Sequence, residues 1–298
     1  MRQLLCVISL FIFLQDLQAQ DYSSLSALKG TKVKVFYSTG FESRAWSISE
    51  RVDKAMDYYQ QLLNLKPEVT LLVLTVQDWP KYTGMPVIGM PHYKNDKVLV
   101  VAAHDNAFWK SFIPPLDKLP ATLAKQIKET YKDSAGNVSM QPFFDLLALH
   151  ELGHAFHMQA GLNMQRKWMQ ELFVNILLHT YVAEKEPKLL PALTVFPQMV
   201  ISNGSSGYLY TSLKDVHEKY SEIGAKHPNN YGWYQCRWHA AAGAIYDADN
   251  VNAVSLLWKT LKDQQQTLED GALVPFFEQA GLRSVAAMIS NWDAFPRK

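Results

Sequence analysis

Along the chain, hydrophobic and polar positions change period several times, and each change predicts an element. Residues 1–20 carry Arg2, an apolar run from Leu4 to Leu14, and then the polar stretch around Gln18-Ala19-Gln20. An 11-residue apolar run is too short to span a bilayer as a helix. With one preceding positive charge and small residues after it, it reads as a cleaved secretory signal, the mature chain starting near Gln20 or Asp21. The next ten residues are polar. Thr31–Ser38 alternates and is rich in β-branched and aromatic residues, which predicts a strand. Ser43–Leu65 repeats at helical spacing, with Ala45, Ile48, Val52, Met56, Tyr59 and Leu63 on or near one stripe, and Pro67 ends it. Val69–Val76 is a continuous β-type apolar run, the pattern of a strand covered on both faces. A Pro/Gly-rich loop over 80–91 leads to another strand, Lys97–Ala103, and Pro120–Lys132 has helical spacing.

From Gln141 the pattern is almost wholly helical, over 142–160, 165–184, 212–223, 232–246, 250–262 and 282–292. Strands early and helices late give an α+β chain. The expected architecture is a small mixed β-sheet lobe with helices over 21–140 and a mostly helical lobe over 141–298. The two lobes would form one catalytic unit with a cleft between them. No internal repeat or low-complexity tract appears.

Composition narrows the class. Hydrophobic residues make up 48% of the 298 and charged residues 19%, enough for a sizeable core. Lys plus Arg is 29 against Asp plus Glu at 28, so nothing in the charge balance points to nucleic acid. The chain has two cysteines, Cys6 and Cys236. Removal of the signal takes Cys6 with it, so the exported chain, periplasmic or extracellular, would fold without an internal disulfide. Beyond residues 1–20 no apolar stretch approaches membrane-spanning length.

The candidate chemistry lies in His150-Glu151-Leu152-Gly153-His154, inside the apolar helical stretch FFDLLALHELGHAFHMQ. Residues four apart on a helix share a face one turn apart, so both imidazoles can approach one metal ion, with Glu151 beside them. With 9 His and 12 Glu, chance supplies on the order of 0.01 such patterns in this chain. The bland alternative is a helix with two satisfied histidines and a surface glutamate. Gly153 costs helix propensity, roughly 1 kcal/mol against Ala, and its missing side chain leaves room for close packing. His157, three positions after His154 on the same broad stripe, is a ligand, a group supporting the pair, or a satisfied core or cleft-edge histidine. A third histidine six positions after His154 would make a metzincin, but that position is Ala160.

The following helix contains Trp168-Met169-Gln170-Glu171-Leu172-Phe173-Val174-Asn175. HELGH followed by W-x-x-E-x-F resembles the gluzincins, the zinc peptidases typified by thermolysin and the zinc aminopeptidases. The resemblance implies that Glu171 joins His150 and His154 as the third ligand of one zinc ion and that Asn175 orients a ligand histidine. It implies that Glu151 acts on the attacking water and that a downstream tyrosine or histidine assists the oxyanion. Tyr234 is the foremost candidate for that assisting group, with Tyr231 and His239 as rivals. Lys97–Ala103 is placed like the substrate-pairing edge strand of that superfamily. Two features depart from the pattern. Sixteen residues separate His154 from Glu171, fewer than in the better-known members, and Ile88-Gly89-Met90-Pro91-His92 lacks the glutamate with which the aminopeptidases hold a free amine. The implied activity is zinc-dependent hydrolysis of peptide or protein substrates. The alternatives are a degenerate peptide-binding protein of the same fold, or hydrolysis of another bond.

Overall fold

A computed structural model describes residues 21–294 apart from Ser134. The expected signal segment lies outside the described residues. The architecture is α+β, with one small mixed sheet on the N-terminal side and a mostly helical C-terminal part. The sheet comprises β1 (Ser26–Ala27), β2 (Lys34–Tyr37), β3 (Thr70–Leu74), β4 (His92–Lys94) and β5 (Val98–Ala102), in the order β1-β2-β3-β5-β4. β2, β3 and β5 run parallel, while β1 and β4 are antiparallel edges. Every residue of β5 and all but the first of β3 are buried, the expected pattern for central parallel strands covered on both faces.

Helix α1 (Glu42–Leu63) makes the crossover from β2 to β3, because parallel neighbours need a long connection. Its buried stripe contains all six positions expected from the spacing, and Asn64 closes it in the left-handed region at φ 49°. β4 and β5 form a hairpin whose three-residue loop, Asn95 to Lys97, begins with two positive-φ residues, Asn95 and Asp96, at 51° and 55°. That geometry matches the twist of the flanking strands and suits Asn and Asp. The expected edge role of 97–103 is therefore corrected. β5 pairs on both sides, with β3 and β4, and the edge strand is β4, a three-residue strand between the expected loop over 80–91 and the expected strand over 97–103, where the pattern predicts no element.

The short helices α2 (Trp79–Tyr82), α3 (Ala107–Ser111) and α4 (Ala121–Thr130) precede two buried helices, α5 (Gln141–Gln159) and α6 (Lys167–Lys185). Next come α7 (Leu190–Ser202), α8 (Leu213–Glu218), α9 (Tyr220–Lys226), α10 (Pro228–Asp249), α11 (Asn252–Asp263), α12 (Asp270–Gln279) and α13 (Arg283–Ser290). Two differences from the sequence expectation have clear causes. The segment 212–223 is two helices, broken at Lys219, where the backbone leaves helical geometry at φ −113°, ψ 22°. Helices α7 and α12 occupy stretches for which the spacing predicts no element; each has a proline inside it, Pro197 and Pro275, and the packing of neighbours such as Leu193 and Phe277 into the core offsets the missing N–H.

α5 lies on the sheet at β4 and β5 and packs on its other side against α6, which in turn packs against α10. A single apolar cluster runs from Leu25 to Trp292 through all these layers. Arg44 of α1 reinforces the junction, donating to both Asp145 carboxylate oxygens at 2.9 and 2.5 Å and to the Ala102 carbonyl. No helix among the described residues is long and apolar enough to cross a membrane.

Candidate metal centre

α5 and α6 cross closely at the glycine of the motif. A Cβ on Gly153 would meet the Val174 side chain at 3.1 Å, so the bare α-carbon sets how near α6 can come. The missing side chain expected at Gly153 is thus filled by Val174. This approach brings Glu171, three residues before Val174 on α6, over His150 and His154.

Each imidazole has one nitrogen engaged elsewhere and the other turned toward Glu171. His150 Nδ1–H donates to Asn175 Oδ1 at 3.2 Å, and Asn175 is tied to α6 by donating to the Glu171 carbonyl at 2.9 Å. His154 Nδ1 shares a hydrogen bond with His157 Nε2 at 2.8 Å. The free nitrogens converge on one oxygen: Glu171 Oε2 is 3.2 Å from His150 Nε2 and 3.8 Å from His154 Nε2. Donors that share a tetrahedral zinc at about 2.0–2.2 Å lie roughly 3.3 Å apart. The spacing and chemistry of this set, two imidazoles and one carboxylate, therefore fit that ion. Glu151 belongs to the same group, since His150, Glu151 and His154 each bring a donor atom within 4.8 Å of the others. Its Oε2 accepts from the Tyr93 backbone N–H at 3.1 Å, which ties the carboxylate to the edge strand.

Charge accounts for the protonation pattern. Burial alone would push the Glu171 carboxyl up, but His154, His150 and the Tyr220 hydroxyl outweigh it and hold the group well below the usual carboxylate range. Burial also acts against a charged His150, yet Glu171 and Glu151 pull its pKa up. Burial lowers His154 to about 3 and His157 to about 4, which leaves both neutral, the form in which an imidazole nitrogen binds metal. Burial pushes Glu151 up to about 7, against the pull of His150.

Opposite the sheet, α9 and α10 close over Glu171. The Tyr220 hydroxyl donates to Glu171 Oε1 at 2.5 Å and Gln235 Nε2 donates to Oε2 at 2.8 Å. The Tyr231 hydroxyl joins this network, 3.0 Å from Tyr220 Oη and 2.9 Å from Gln235 Nε2. Tyr234, the foremost candidate for the assisting group, is not brought here. Its hydroxyl donates to the Ser212 carbonyl at 2.8 Å, and its ring is fully buried between Trp238 and Trp292. The reason is helical rotation: Tyr231 and Gln235 share one face of α10, and Tyr234 sits a step round it. His239 lies behind His150, with ring centroids 6.2 Å apart, and is buried.

Sequence reasoning missed Tyr220, Gln235 and the Tyr93 N–H. Tyr220 is aimed by the break at Lys219, which a continuous helical period hides. Gln235 carries no motif, and the Tyr93 contact comes from the backbone, on which no side-chain pattern bears. No protein-family model, no curated protein and no solved structure matches the chain.

Proposed function

We propose that this chain is a zinc-dependent peptidase of gluzincin type, with His150, His154 and Glu171 holding one zinc ion. The observation that carries the reading is the convergence of two imidazole nitrogens and one carboxylate oxygen, each fixed by a second partner, beside a separately held Glu151. A bound zinc supplies a Lewis acid that polarises a carbonyl and lowers the pKa of water. Everything else falls to the chain. Asn175 and His157 fix which nitrogen each ligand ring presents. Glu151, held beside the ligand histidines by the Tyr93 N–H, is placed to take a proton from water and return it to the leaving amine. Tyr231, half-buried beside this group, is the hydroxyl assigned to the substrate oxygen as that atom gains charge, its hydrogen turning there from Tyr220 Oη.

The test joins metal analysis with turnover of a mixed peptide library, with and without chelator. The expected result is one zinc per chain and chelator-sensitive hydrolysis, reduced about a hundredfold or more in Glu151→Gln with zinc retained. Unchanged turnover in that variant removes Glu151 as the base. Unchanged zinc content in His154→Ala removes the ligand set.

A further inference from the structure

The edge strand beside the metal centre is short, held at both ends, and nearly devoid of free pairing groups. In an antiparallel pair, a residue in a non-hydrogen-bonded position turns both its N–H and its C=O away from the partner strand. Tyr93, opposite Leu99, is such a residue, since its N–H reaches Glu151 instead of β5. His92 and Lys94, in register with Val100 and Val98, turn their backbone groups into the sheet. The next outward positions along the strand are residues 91 and 95. Pro91 has no N–H, and Asn95 has already entered the hairpin loop at φ 51°. From 91 to 95, then, the edge offers an extended peptide no free N–H, and Tyr93 alone presents a strand carbonyl in register.

The strand is also fixed in place. Ahead of it, Trp109 Nε1 donates to the Gly89 carbonyl at 2.8 Å, and the Asn106 side chain fills the space where a Cβ on Gly89 would sit. Behind it, Gln159 Nε2 donates to the Asp96 carbonyl at 2.6 Å and to the Tyr93 hydroxyl at 3.0 Å. A pairing edge that cannot lengthen or slide cannot add a substrate as a new strand, which normally requires donor and acceptor at every second residue. The metal group is also recessed: the His150 and Glu171 side chains are each 4% exposed and that of His154 12%. A recessed group is reached more readily by the end of a chain than by its middle.

We infer that the substrate of this site is a short peptide, gripped through the residue at the scissile bond, and not an extended segment of a protein chain. This rests on the peptidase reading above. The experiment uses the wild-type zinc-loaded protein and a series of peptides from dipeptide to decapeptide built around one scissile pair, with an unfolded protein chain alongside and chelator controls throughout. The expected result is that kcat/KM peaks between dipeptide and tetrapeptide and that longer peptides and the unfolded protein gain nothing. A kcat/KM that climbs by about tenfold or more from tetrapeptide to decapeptide, or comparable cleavage inside the unfolded protein, overturns the inference and leaves the peptidase reading intact. No chelator-sensitive cleavage of any member removes both.

Discussion

Replacing Tyr220 with phenylalanine removes one hydroxyl and keeps the ring. In the protein that hydroxyl donates to Glu171 Oε1 at 2.5 Å, the length of a charge-assisted O–H···O⁻ bond. Among the described residues the only other donor to Oε1 is Gln170 Nε2 at 3.4 Å, too long to take over the contact. Glu171 is buried and anionic, so its carboxylate loses an anchor that water does not readily replace. A hydrogen bond to a charged group contributes about 1.5–3 kcal/mol, and each 1.4 kcal/mol is a factor of ten. Tyr220→Phe therefore weakens zinc binding by roughly ten- to a hundredfold, as removal of a ligand's supporting partner generally does. Competition against a zinc-sensitive chelating dye measures the dissociation constant directly, and circular dichroism establishes that the variant is folded. A folded Tyr220→Phe protein whose zinc affinity lies within about threefold of wild type refutes the argument that this hydroxyl fixes the ligand.

Two further outcomes follow from the surrounding structure. Arg44→Ala strands the Asp145 carboxylate at the junction of α1, α5 and β5, where both side chains are 11% exposed, and lowers stability by about 3–5 kcal/mol in denaturant titration; a loss under about 1 kcal/mol contradicts the buried-pair argument. Cys236 is buried, and burial pushes its thiol up to about 12, so a thiol-reactive dye at mildly alkaline pH labels it only after unfolding; fast labelling of the folded protein contradicts this.

The sequence by itself determined what local periodicity and residue spacing can express. The stripe from Ala45 to Leu63 predicts α1, the apolar runs predict β3 and β5, and strands followed by helices predict an α+β chain. His150 and His154 share a face because four residues make about one turn, whatever surrounds them. What depends on contacts between distant segments was decided by the tertiary structure. That β5 is interior and β4 the edge depends on strand order, to which the pattern of a single strand is blind. Tyr231 faces the ligand group and Tyr234 does not because of how α10 is rotated against α6, and the packing of Trp238 and Trp292 around the Tyr234 ring sets that rotation. Tyr220 reaches Glu171 because the chain breaks at Lys219 and restarts as α9. The HExxH spacing is a property of one helix. The atoms that hold Glu171 and Glu151 in place come from α9, α10 and an edge strand far away in the chain, and only packing brings them together.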